Sequence, residues 1–179
     1  TPADDDDDDD DSTASVTAAD DDETYTTTLD TILRSESYNC DDDFTDTSIS
    51  YAEDIICRMY QADIVEGTEP PYIFSPSGDV TNAEALKMIV GLLLEKDTGD
   101  ASGLSEDFTD VTSADWFEDW IKIAQDEDVA RTRDFGGYLF PNASCTRGQL
   151  AVYIARALGL TTYSYTIDFT DVDHDDYYA

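Results

Sequence analysis

Phe108-Thr109-Asp110-Val111 decides how this chain is read, because nearly the same words stand at Phe44-Thr45-Asp46-Thr47 and again at Phe169-Thr170-Asp171-Val172. The copies lie 64 and 61 residues apart, a spacing that marks an array of similar structural units. The residues after each copy repeat as well. A shift of 65 lays Tyr51-Ala52-Glu53-Asp54-Ile55-Ile56 over Trp116-Phe117-Glu118-Asp119-Trp120-Ile121, Ile64 over Val129, Pro76 over Pro141 and Thr81 over Thr146.

Each unit reads as helix, loop, helix. Ser50-x-x-Glu53 and Asp115-x-x-Glu118 have the spacing of a capping box, in which a cap residue and the third helical residue satisfy each other's backbone N–H groups. Behind them, Trp116, Phe117, Trp120, Ile121 and Ala124 form an apolar stripe of helical period, matched by Ile55, Ile56 and Met59. Gly67 and Gly136-Gly137 signal turns. The loops then carry Tyr72-Ile73-Phe74 and Tyr138-Leu139-Phe140, read as short apolar anchors, before Pro76 and Pro141. Thr81-x-x-Glu84 and Thr146-x-x-Gln149 open a second helix in each unit, and Gly159-Leu160 reads as a C-terminal cap with its hydrophobic contact. Two helices of about a dozen residues cannot bury their stripes alone, so the units are expected to pack on one another.

Charge narrows the partners. Lys and Arg number 9 against 43 Asp and Glu, for a net charge of -34. Nucleic acid and anionic membrane would be repelled, whereas cations and a salt-rich exterior would screen the self-repulsion. Residues 1–43, with eight consecutive aspartates at Asp4 to Asp11, are too polar to offset the entropy of ordering and read as an acidic tail or linker. No apolar run approaches the ~20 residues that span a bilayer. Cys40, Cys57 and Cys145 match no zinc or redox spacing; an oxidising compartment would permit a Cys40–Cys57 bridge, and Cys145, in the place of Val80, reads as a small hydrophobe. With His174 the one histidine and no Gly-rich phosphate loop, no catalytic set assembles, and the chain reads as non-enzymatic.

The pattern resembles the S-layer homology domain: a Phe-x-Asp-Val opening, an aromatic-led helix, a loop ending in Phe-x-Pro, then Thr-Arg-Ala-Glu at the second helix. Here it is carried by Phe108-Thr109-Asp110-Val111, Trp116-Phe117, Phe140-Pro141, Thr146-Arg147-Gly148-Gln149-Leu150-Ala151 and Ala155-Arg156-Ala157-Leu158-Gly159. The resemblance implies an all-α fold of tandem helix-loop-helix repeats around a pseudo-threefold axis, divided as tail 1–43, first repeat 44–107, second repeat 108–167 and the start of a third at 168–179. It implies an extracellular, cell-surface module that attaches to cell-wall polysaccharide through grooves between repeats. Arg147 then falls in the sugar-contacting role, with Thr146, Gln149 and Trp116 beside it. Tyr51 and Tyr177 are further aromatic faces, although for Trp116, Tyr51 and Tyr177 a place as core anchors is favoured over sugar contact.

The departures matter. Asn82 stands where the first repeat should have its Arg, and the third unit stops two residues after Tyr177. That suggests an alternative, a structural subunit of a filament or lattice that self-associates through the same fold as a homo-oligomer, if the third repeat is truly incomplete. Calcium would bridge such copies, at the Asp4 to Asp11 run or at Asp171, Asp173 and Asp175, whose spacing resembles the opening of a calcium loop but lacks its glycine, with Asp176 in that place.

Overall fold

Asn82–Leu93 is apolar almost all round, and a helix of that kind must be surrounded by protein. The computed structural model, which describes residues 44–48, 51–67 and 73–160, surrounds it. Four α-helices occur among these residues: α1 (Glu53–Gln61), α2 (Asn82–Leu93), α3 (Glu118–Asp126) and α4 (Arg147–Ala157), with 3₁₀ turns at Thr98–Ala101 and Thr132–Phe135. Helix α2, from the first unit, packs against both α3 and α4 of the second. Its Ala83, Leu86, Ile89 and Val90 share one core with Phe108, Val111, Phe117, Ile121, Ile123, Val129, Leu139 and Tyr153. The chain is all-α, with no strand among the described residues. The tail, the start of the third unit and Asp171, Asp173, Asp175 and Tyr177 lie outside the described residues.

The repeated phrase has a structural meaning in both units. Phe44 and Phe108 are buried. The aspartate two residues later reaches across the unit and clamps the loop: Asp46 accepts hydrogen bonds from the N–H groups of Phe74 and Ser75 at 2.9 and 2.8 Å, and Asp110 from those of Leu139 and Phe140 at 2.8 Å each. The second clamped residue has a left-handed backbone in each case, φ 60° at Ser75 and 53° at Phe140. Gly67 sits against the Phe44 ring so closely that a Cβ there would lie 2.5 Å from Cε1, which explains this glycine better than a turn does. Phe44 completes the first unit's small core with edge-on contacts to Tyr60 and Phe74.

The helix ends correct part of the sequence reading. Thr81 with Glu84 and Thr146 with Gln149 form the expected capping boxes. The first helix of the second unit does not. Helix α3 begins only at Glu118, with Phe117 in the cap position and no side-chain cap. Asp115 is already occupied, because its carboxylate accepts from the backbone N–H and the hydroxyl of Thr112, and Glu118 pairs instead with Lys122. In the first unit the cap position is Ala52, again with no side-chain cap; Ser50 lies outside the described residues. At the end of α4, Gly159 takes φ 62° and the Leu160 and Gly159 N–H groups bond back to Ala155 and Arg156, a Schellman cap. Leu160 itself remains 63% exposed.

A half-buried ion pair fixes α4 to its own unit. Arg156 donates two bonds to Asp134, at 2.6 and 3.1 Å, and one to the carbonyl of Val129 at 3.0 Å. Lys87 of α2 is buried and pairs with Glu66 of its own unit at 2.7 Å, while its ammonium lies 5.9 Å from the ring centre of Trp120 in the second unit. Cys57 is disulfide-bonded and Cys145 is a free, half-buried thiol whose pKa burial pushes up; Cys40, the expected partner of Cys57, lies outside the described residues.

Loss of the clamp is expected to loosen the loop without touching a helix. Asp110→Ala should lower unfolding stability by about 2 kcal/mol, the scale for charge-assisted hydrogen bonds, and Asp110→Asn by less because its amide keeps one acceptor oxygen. Urea titration of the two variants would check the order.

Candidate functional site

The first turns of α2 and α4 are the same structure in different surroundings. The first N–H groups of any helix lack partners within it. At α2 the second unit's loop supplies them: Asn82 N–H donates to the Ala143 carbonyl and Ala83 N–H to that of Pro141, both at 3.0 Å. Cys145 N–H adds a bond to the Val80 carbonyl, and the Ser144 hydroxyl one to Asp79. The Asn82 side chain is 1% exposed and its Nδ2 donates to the carbonyls of Leu139 and Phe140 at 3.2 and 3.1 Å. Asn82 is therefore an inter-repeat tie. Its short neutral amide fits beneath the loop, where a guanidinium would need room and a counter-charge.

At α4 the corresponding Arg147 is exposed and Gly148 half-buried, and no backbone carbonyl among the described residues covers their N–H groups. Arg147 has no ion pair among the described residues, a state it shares there with Arg133, whereas Arg58, Arg131 and Arg156 hold Asp54, Asp128 and Asp134. An exposed guanidinium beside uncovered N–H groups and the positive end of a helix dipole is an arrangement that attracts a carboxylate or similar anion.

The other predicted residues divide. Thr146 and Gln149 are beside Arg147 in the same turn, but their side chains are engaged in capping: the Gln149 carbonyl oxygen accepts from Thr146 N–H at 2.8 Å, and the Thr146 hydroxyl from Gln149 N–H at 3.2 Å. Both hold the turn's shape. Trp116 stands on another element, ahead of α3, and its ring contact is edge-on with Phe117. It is 57% exposed, and Tyr51 is fully exposed, so neither is the core anchor that helical spacing favoured; Phe117 fills that place. Tyr138 and Phe140, also read as apolar anchors, face solvent while Leu139 between them is buried. Among the described residues no group of His, Cys, Asp and Glu is gathered as a metal site, and no helix is long and apolar enough to cross a membrane.

Arg147→Ala is expected to shift unfolding stability by no more than about 0.5 kcal/mol, as for exposed residues without partners. Asn82→Asp should cost more than Asn82→Ala, about 3 kcal/mol against about 1, because a carboxylate there would face two carbonyl oxygens in a buried place. Thermal unfolding of the three variants separates a surface residue from a structural tie.

The family model of the S-layer homology domain matches residues 43–86, the whole span from the first Phe-Thr-Asp phrase into α2. An amylopullulanase of Thermoanaerobacterium thermosulfurigenes is 32% identical over 127 residues, 70% of this chain and 6% of that protein. Exoglucanase XynX of Acetivibrio thermocellus is 32% identical over 120 residues, 66% of this chain and 10% of that protein. The chain thus spans a tenth or less of the curated relatives it matches. With the repeated phrase, the two Asp clamps and the two capped second helices, these matches make the chain a member of the S-layer homology domain family, a family of the cell surface.

Proposed function

We propose that this chain is a non-catalytic anchoring module that holds its protein to cell-wall polysaccharide, with Arg147 as the principal contact to an acidic group of the polymer. The observation that carries the reading is the contrast at the two first turns: Asn82 is sealed beneath the neighbouring loop, while Arg147 is open and has no counter-ion among the described residues. In a chain with a net charge of -34, Arg147 and Arg133 are the arginines without an ion pair among the described residues, and Arg147 is the one in the capped first turn of an α-helix, a place that suits recognition of an anion. Thr146 and Gln149 act here as positioning residues, and the module offers one Arg-bearing turn among the described residues. The relatives' names are those of enzymes, and this chain matches only 6% and 10% of their lengths.

The test is co-sedimentation with wall polymer from the source organism. Arg147→Ala should weaken binding by about tenfold, the loss of one charge-assisted pair; unchanged binding would refute the reading. Salt gives a second, sign-specific expectation. Long-range repulsion between a strongly acidic protein and an anionic polymer is screened before a short contact is, so binding should strengthen between roughly 10 and 150 mM salt, where a basic protein's would weaken. Weakening throughout that range would count against an anionic polymer.

A second reading, self-association of copies with calcium between them, draws on one observation. Leu150 and Leu158 of α4 are exposed, whereas Ala85 at the place in α2 that matches Leu150 is buried against the second unit. Sedimentation velocity in calcium decides it: growth of the sedimenting species with concentration supports this reading, and a monomer at every concentration dismisses it.

A further inference from the structure

Phe140 is a residue the fold does not require. The clamp that shapes its backbone is equally satisfied in the first unit by Ser75, which has nearly the same left-handed φ and the same pair of N–H bonds to an aspartate. A bulky side chain is disfavoured in that conformation, and a large apolar one is disfavoured in water, yet Phe140 accepts both and is 50% exposed. Two residues before it, Tyr138 is 42% exposed and stacks nearly parallel with it, at 5.6 Å and 20°. Phe135 supports Phe140 edge-on from the end of the preceding 3₁₀ turn, with ring centres 6.4 Å apart and 74° between planes. The first unit has Ile73 and Ser75 in the matching places, so of these two units the second is the one with the aromatic pair.

The surface is also rigid. Asp110 clamps the Leu139 and Phe140 N–H groups, Asn82 holds the two carbonyls of the same residues, and Ala83 and Asn82 N–H groups hold those of Pro141 and Ala143. A partner binding there would not have to order the loop, which removes one of the usual costs of association. The residues that flank the pair in sequence, Gly136, Asn142, Ala143 and Ser144, are exposed and small or polar. Two exposed rings amid such neighbours match the size of a sugar ring and are too small for a stable protein interface, which buries about 800 Å² on each side.

From this we infer that Tyr138 and Phe140 form a carbohydrate-stacking site, which takes the apolar C–H face of a neutral pyranose against the aromatic faces, separately from any anion held at Arg147. The chemistry is that of amphipathic ring recognition: the C–H groups of the sugar face carry slight positive charge and meet the negative face of the aromatic system. The inference deepens the polysaccharide reading by adding a neutral-sugar subsite to a charged one, and rests on it for the class of ligand.

The test titrates the intact chain with the neutral oligosaccharide fraction released from the wall polymer, following Tyr138 and Phe140 ring resonances by NMR. Those resonances should shift, Phe140→Ser should weaken binding about tenfold, and Phe140→Tyr should retain it. Because Ser75 has the same backbone geometry, the serine variant is expected to stay folded, with an unchanged amide spectrum elsewhere. Arg147→Ala should leave binding of this neutral fraction unaltered. Loss of whole-polymer binding in Arg147→Ala with no ring shifts in wild type would overturn the stacking site while keeping the anchor; ring shifts with no Arg147 effect on the whole polymer would keep the stacking site and overturn the charged contact. Rings that shift only on adding another protein would also overturn it.

Discussion

Everything in this structure leans on an aspartate that holds two backbone N–H groups some thirty residues away. Asp46 and Asp110 each fold a long loop back onto the start of its own unit, beside a buried phenylalanine two residues earlier. The carboxylate is the one side chain with enough acceptor capacity to take both donors and enough charge to offset a left-handed residue at the second of them. Once the loop is so fixed, its carbonyls are aimed outward as a set. In the second unit that set lands on the first turn of α2 and supplies the acceptors which a helix cannot provide for its own first N–H groups.

That landing makes the two units unequal. Helix α2 is enclosed, with Asn82 tied to the loop above it, and its residues become the centre of the shared core. Helix α4 repeats the capping box and ends in a Schellman cap, but its first turn is uncovered among the described residues and its Leu150 and Leu158 face out. The difference between a structural amide and an exposed guanidinium at matching positions is therefore more than a substitution. It follows from which first turn has a loop above it.

Much of this was legible in the sequence. The repeated phrase gave the unit length, and Thr81, Glu84, Thr146 and Gln149 gave two helix starts, because a capping box is a contact between residues three apart. Gly136-Gly137 and Gly159 announced backbone that L side chains avoid. What was hidden depends on distant partners. Nothing local tells that Asp110 serves Leu139 and Phe140, or that Asn82 serves Leu139 and Phe140 from the other side. Helical spacing put Trp116 on the apolar stripe, but the helix begins two residues later, and Phe117 turns inward instead. Asp115 misled for a related reason: its carboxylate was spent on Thr112 in a preceding turn. Tyr138 and Phe140 looked like anchors because apolar residues usually are, and the clamp at Asp110 sends them out to solvent.

The central claim is that the first turn of α4 is open for recognition while that of α2 is closed by the protein itself. Amide NMR during titration with wall polysaccharide fragments tests it directly. The account predicts that the Arg147 and Gly148 N–H signals move, and that those of Asn82 and Ala83, already bonded to Ala143 and Pro141, stay in place. Equal movement at both turns, or movement at Asn82 and Ala83 alone, would contradict it.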